Sequence, residues 1–281
     1  MIEIKAIGPG VPDSLCLSPS RIRGRTMALS VKTEDAAHAI TGTIHGMGKP
    51  ARITVPAALV SHATVLRTRR GQALALGPQD GEMAFIVRSG VLMLHITLPH
   101  STRQVAALVF PGDLIRTDFA PLDAKAALVA AAAGEVWRMR FSVVETLAAS
   151  DPAVMRYLGD VVARRVARQT IHAATLGRLD SEQRVATLLV ELALRTGRCL
   201  PQGVAFDLPV SRKDIADYLG LNPDTLSRIM SRFRSASLFG HADRNTILVR
   251  DFAALAARSP AAPSLMALSG APPGFSIGKS T

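Results

Sequence analysis

Apolar residues recur along the chain with two different periods, and the change between them falls near residue 150. Between about 51 and 140, short apolar runs are cut by Gly, Pro and Asp: Phe85 to Arg88, a Ser89-Gly90 turn, Val91 to Thr97, Val105 to Phe110, then Pro111-Gly112-Asp113. Short strands joined by tight turns at this spacing predict a β-sandwich or barrel. From Asp151 the pattern becomes helical. Asp151 is a good N-cap, Pro152 stands at the first helical position, and residues 153–178 contain no further proline, giving a helix about 40 Å long. Along it Met155, Leu158, Val162, Gln169, Ala173 and Leu176 follow a 3,4 spacing, with Arg165 interrupting the middle. So narrow a seam suits a helix that pairs with its twin in a dimer; the alternative is an ordinary surface helix packed on its own domain. A second helix follows, with Asp180 as N-cap, Gln183 three residues on, Val185, Leu188, Leu189 and Leu192 on one face, and Gly197 as its stop.

Residues 209–250 carry the chemistry. Ser211 caps a short helix with Asp214 at the capping-box position, Ile215, Ala216 and Leu219 form its buried side, and Gly220 ends it. After Leu221, Asn222 caps another helix that has Pro223 at its first position. Leu226, Ile229, Met230 and Phe233 recur at i, i+3, i+4, i+7 and point to a core, while Asp224, Ser227, Arg228 and Ser231 share another side. Two short helices around a Gly turn, the second presenting small polar and Arg side chains near its start, match the helix-turn-helix that enters a DNA major groove. Arg228 suits guanine O6 and N7, Asp224 a cytosine amine, and Ser227 either kind of base. Arg232 and Arg234 lie one turn on, within reach of phosphates. Leu238-Phe239 and Thr246 to Val249, flanking Gly240 to Asn245, read as a β-hairpin wing. A merely solvated helix face would explain the polar side alone, but not the turn and the wing with it.

Composition narrows the partners. The chain has 281 residues, 48% hydrophobic and 20% charged, which is a globular balance. Its net charge of +11, carried mostly by arginine, favours a polyanionic partner, nucleic acid ahead of anionic lipid. No uncharged run approaches the length of a membrane span, and the first 30 residues contain no apolar signal region, so no membrane association and a cytoplasmic location are expected. Two cysteines, Cys16 and Cys199, furnish neither a disulfide framework nor a metal set, and the seven histidines show no ligand spacing. No cofactor and no catalytic constellation are expected. Gly46-Met47-Gly48-Lys49-Pro50 fails as a phosphate loop, because Thr43 stands where the first glycine belongs and Pro50 where a hydroxyl should bind Mg²⁺. Residues 1–50, rich in Gly, Pro, Ser and Thr, read as a poorly ordered arm, and the proline-rich 259–281 as a disordered tail.

Through DIADYLGLNPDTLSRIMSRF and the wing after it, the C-terminal part resembles the DNA-binding half of the Crp/Fnr superfamily of bacterial transcription regulators. The resemblance in the β-roll is looser and rests on FIVRSGVLMLHI, RQVAALVFPGDL and GEVWRMRFSVVETL. It implies an α+β chain: a cyclic-nucleotide-binding-like β-roll of jelly-roll type over 51–150, a dimerisation helix over 151–178 and a winged helix-turn-helix over 179–258. It further implies a homodimer on a palindromic site of double-stranded DNA, with RNA polymerase as a partner. The implied DNA contacts are Ser211, Arg212, Asp224, Thr225, Ser227, Arg228, Ser231, Arg232 and Arg234, and the implied dimer contacts are Met155, Leu158, Val162, Gln169 and Leu176. Asp224 replaces the more usual Glu, one methylene shorter. Arg116-Thr117 and Ala124-Lys125 stand where cyclic-nucleotide binders of the family carry Gly-Glu and an Arg followed by Ser or Thr, so cyclic-nucleotide control is not expected. The competing reading is a ligand-sensing β-roll that acts through protein partners, with the winged helix as a docking surface.

Overall fold

The short apolar runs pair into two antiparallel four-stranded sheets. The computed structural model describes residues 54–74, 82–100, 102–116, 125–241, 243 and 245–270; the expected arm lies outside them. In chain order the N-terminal half contains α1 (Ala57–Ser61), β1 (Thr64–Thr68), β2 (Ala73–Leu74), β3 (Met83–Ser89), β4 (Leu92–Thr97), β5 (Arg103–Val109), β6 (Leu114–Arg116), β7 (Lys125–Ala130), β8 (Gly134–Arg140) and α2 (Phe141–Ser150). One sheet has the order β1-β8-β3-β6 and the other β2-β7-β4-β5. Their facing sides bury Phe85, Val87, Leu92, Val109, Ile115, Leu128 and Val136, so alternate positions fill the inside of the roll. Gly112, at φ 87°, makes the turn between β5 and β6, and the Asp113 carboxylate there accepts from the Phe110 amide at 3.0 Å.

Then come α3 (Pro152–Arg178), α4 (Ser181–Thr196), β9 (Arg198–Leu200), β10 (Gly203–Asp207), α5 (Arg212–Leu219), α6 (Pro223–Ser235), β11 (Gly240–His241), β12 (Thr246–Val249), α7 (Phe252–Ala256) and α8 (Ala262–Leu268). The Asp151 side chain caps α3 through the Ala153 amide. Val154, Tyr157 and Val161 seat this helix on the outer side of the first sheet, against Ile86, Leu114 and Met139. Asp180 and Gln183 close a reciprocal capping box on α4. That helix is buried all the way round from Val185 to Ala193, because it is the rod on which α6, α7, α8 and the second sheet of the roll converge. Val91, Met93, Val105, Leu108 and Phe110 of the roll share one core with Leu189, Ile215, Leu226 and Phe233. The two halves are therefore packed together and not merely linked.

Two expectations need correction. The chain from Ser259 does not leave the body as a tail: the Ser259 hydroxyl is buried and bonds that of Thr187 at 2.8 Å, and Ala262 and Leu265 of α8 are buried against α4. Pro263 falls in the first turn of α8, where a missing N–H costs nothing, so a proline-rich composition concealed a docked helix. Residues 271–281 lie outside the described part. In the wing, Leu238 and Phe239 are buried in the turn after α6, and the first strand begins at the next residue, Gly240. No helix among the described residues is long and apolar enough to cross a membrane.

Candidate nucleic-acid interface

The helix-turn-helix is assembled by local rules. The Ser211 hydroxyl accepts from the Asp214 amide at 3.1 Å and starts α5; Gly220, left-handed at φ 61°, ends it, with the Leu221 amide bonded back to the Ala216 carbonyl at 2.9 Å. The Asn222 side chain then accepts from the Asp224 amide at 2.8 Å, and Pro223 begins α6. Leu226, Ile229 and Phe233 are buried, and Met230 is half-buried. On the other side Asp224, Arg228, Ser231, Arg232 and Arg234 are exposed, with Thr225 and Ser227 half-buried between the two faces. Arg212 is exposed and Ser211 half-buried at the start of α5, so of the nine expected DNA-contact residues seven lie on α6 and two at the N-terminal end of α5.

Several polar side chains outside that set fix its position. Arg184 of α4 donates to the Leu176 and Leu179 carbonyls at the end of α3 and to the Leu219 carbonyl at the end of α5, at 2.7, 2.9 and 3.2 Å. A cation at two helix C-termini satisfies both dipoles and ties three helices together. Glu182, in the first turn of α4, pairs with Arg232 at 2.8 Å and with Arg258 at 3.7 Å. Arg232 is thus already partnered, although its side chain remains 63% exposed. On the wing side, the Thr246 hydroxyl donates to Asp207 at 2.7 Å, and the Leu208 amide to the Asn245 carbonyl at 2.9 Å. None of these partners is marked by a local pattern; Glu182 alone carries a hint, as an acid in the first turn of its helix.

The face of α3 turned away from the roll exposes Met155, Val162 and Val166, large apolar side chains each more than half exposed. Gln169 and Ala173 continue this stripe, and Leu158 is half-buried beside the roll core. Leu176 departs from the expected seam: it is half-buried, and its Cδ2 would lie 3.8 Å from a methyl group placed on Gly220, so it faces α5. Behind the interface, a narrow cleft with room for only about 40 Å³, partly open to solvent, runs between β5, α3, α4 and α5. Arg165, Arg168, Gln169, His172, Glu191 and Tyr218 bring polar groups to it. Burial pushes the Glu191 carboxyl up, against the pull of Arg168 and Arg195, and pushes His172 down to about 4. Arg116 pairs with Glu82 at 3.0 Å and lies over the Phe141 ring.

Comparison with known proteins agrees with this geometry. The Crp-like helix-turn-helix domain family matches residues 183–258. Over 180 residues the chain is 30% identical to the nitrogen fixation regulation protein FixK of Azorhizobium caulinodans, covering 63% of this chain and 71% of that protein. It is 29% identical, over 180 residues, to a probable transcriptional activator of Rhizobium leguminosarum bv. viciae, covering 64% and 74%. Among solved structures it is similar to FixK2 from Bradyrhizobium japonicum, with a TM-score of 0.61 and 27% identity over 70% of this chain and 97% of that one. With its β-roll, its long helix and its exposed second helix in the same order, the chain belongs to the Crp/Fnr family of DNA-binding transcription regulators.

Proposed function

We propose that this regulator binds a two-fold symmetric DNA site as a homodimer, with α6 of each protomer in successive major grooves about 34 Å apart. The observation that carries the reading is the division of α6: Asp224, Arg228 and Ser231 face solvent while Leu226, Ile229 and Phe233 anchor the opposite side. Arg228, Asp224 and Ser227 read bases; Ser211, Arg212, Thr225, Ser231, Arg232 and Arg234 hold the backbone and the register. The exposed Met155, Val162 and Val166 stripe supports pairing of two α3 helices, since an apolar stripe of this kind is otherwise left in water. The protein acts in the cytoplasm, with RNA polymerase as its partner at promoters; a relative named as a transcriptional activator supports the latter.

Selection of bound sequences from a random duplex library tests this. The expected product is an inverted repeat, and Arg228→Ala should cost about 1–3 kcal/mol at one base pair of each half-site and relax the preference there. Recovery of sequences without two-fold symmetry, or an unchanged preference in the Arg228→Ala protein, would overturn the assignment.

A further inference from the structure

The β4–β5 hairpin of the roll reaches the helix-turn-helix directly. At the start of β5, Arg103 donates from Nη2 to Asp214 Oδ1 at 2.6 Å and to Asp217 Oδ2 at 2.8 Å. Its neighbour Gln104 donates from Nε2 to the Asp217 carbonyl at 3.3 Å. Asp214 and Asp217 are three residues apart on α5, so both carboxylates lie on the side of that helix that meets the roll, and without a cation they would repel one another. The capping box at the start of α5 is altered to serve this contact. Asp214 Oδ2 accepts a hydrogen bond from the Ser211 hydroxyl at 2.6 Å, while Oδ1 is committed to Arg103. A polar chain therefore runs from a strand of the roll to Ser211 at the start of α5. The two carboxylates are mostly buried, with side-chain exposures of 15% and 25%, which shields the pairing from solvent.

We propose that Arg103 is a positioning residue for DNA recognition: by clamping Asp214 and Asp217 it fixes the angle at which α5, and α6 packed on it, leave the roll, and so sets the distance between the two reading helices of a dimer. This rests on the homodimer reading above. In that arrangement α3 defines the two-fold axis, the roll is seated on α3 through Val154, Tyr157 and Val161, and α5 is seated on the roll through Arg103. The apolar core that Ile215 shares with the roll and the Arg184 bonds to α3 and α5 hold α5 as well, and Arg103 adds a cation that clamps both carboxylates of its roll-facing side, so this contact tunes the half-site spacing that the dimer accepts. Arg103 touches neither a base nor a phosphate, and it acts only through α5.

The test measures affinity for the selected inverted repeat and for the same site with one base pair inserted or removed at its centre. The parent protein should discriminate strongly among the three. Arg103→Gln should lose on the order of tenfold of that discrimination while keeping the same base preference within each half-site. A merely structural role would lower all three affinities together. Arg103→Asp combined with Asp217→Arg should restore spacing discrimination, because the pair is rebuilt with reversed sign and Asp214 is untouched. Should Arg103→Gln unfold, Arg103→Lys keeps the charge without the guanidinium and should show the same relaxed spacing. Unchanged discrimination in these variants would overturn the proposal; a parent protein indifferent to symmetry would instead overturn the homodimer reading, and the proposal with it.

Discussion

The carboxylate of Asp113 stands 2.9 Å from the guanidinium of Arg195, joining a turn of the β-roll to the central helix of the DNA-binding half across 82 residues of sequence. Arg168 of α3 donates to the same carboxylate at 3.1 Å, and all three side chains are more than four-fifths buried. Breaking a buried cluster of this kind by removing its centre leaves two guanidinium groups without their anion, which costs about 3–5 kcal/mol. Asp113→Ala should therefore lower the urea midpoint by that equivalent. Asp113→Asn should do less harm, because its amide oxygen can still accept from the Phe110 amide. A loss under about 1 kcal/mol in Asp113→Ala would show that water takes over the anion's role.

Glu182 neutralises part of the positive charge on the face proposed to meet DNA. Its carboxylate pairs with Arg232 and, at longer range, with Arg258. Every cation that engages phosphate releases counterions, so freeing Arg232 should raise affinity for all sequences alike. It should also steepen the dependence of log affinity on log salt by up to about one unit. Glu182→Gln is expected to do both in titrations at several salt concentrations, with base preference unchanged. In an Arg232→Ala, Arg258→Ala background, Glu182→Gln should have almost no effect; a full effect there would place the interaction elsewhere.

The caps and turns that position the recognition helix were legible because each is encoded within four residues. Asp151, Asp180 with Gln183, Ser211, Gly220 and Asn222 all perform the role their local pattern implies. The polar contacts between the halves were not legible. Asp113 reads in sequence as the last residue of a Pro-Gly-Asp turn, and nothing near it points to Arg168 or Arg195. Arg103 and Asp217 are likewise separated by 114 positions. The docking of α8 was missed for a related reason: a seven-residue helix has little stability of its own, and Leu265 holds it in place through the surfaces of α3 and α4, which composition does not reveal. Within the recognition surface, which residues face solvent followed from helical period. That Arg232 has an acidic partner depended on the distant Glu182.

Acid should weaken the junction through His172. Its ring stacks on Tyr218 with centroids 4.0 Å apart, and burial pushes its pKa down to about 4 from an unfolded value near 6.5. Between those values the unfolded chain binds a proton that the folded chain refuses. Stability from this site is thus complete above pH 6.5 and is lost as pH falls toward 4, with a slope approaching about 1.4 kcal/mol per unit. Glu191, pushed up by burial, contributes with the opposite sign and remains in both proteins when parent and variant are compared. Unfolding by urea between pH 4 and 7 should show a flatter profile for His172→Gln than for the parent. Parallel profiles would mean that His172 titrates in the folded protein as it does in the unfolded chain.

The two faces of α3 predict opposite consequences for neighbouring valines. Val161 is buried in the core shared with the roll, so Val161→Glu should unfold the chain or leave it insoluble. Val162 and Val166, 60% and 56% exposed, lie outside that core, and a glutamate at either should leave the melting of a single chain little changed. In a dimer joined along this stripe, the pair Val162→Glu and Val166→Glu would set four carboxylates against one another in an apolar interface. Sedimentation should then find a dimer for the parent and a monomer for the double variant. DNA binding tests the same point independently, since a monomer engages one half-site and loses the gain from linking two. Affinity for the full inverted repeat should fall by about 10²–10⁴, while affinity for an isolated half-site should change little. A double variant that still sediments as a dimer and still grips the full site would assign the pairing surface to another part of the chain.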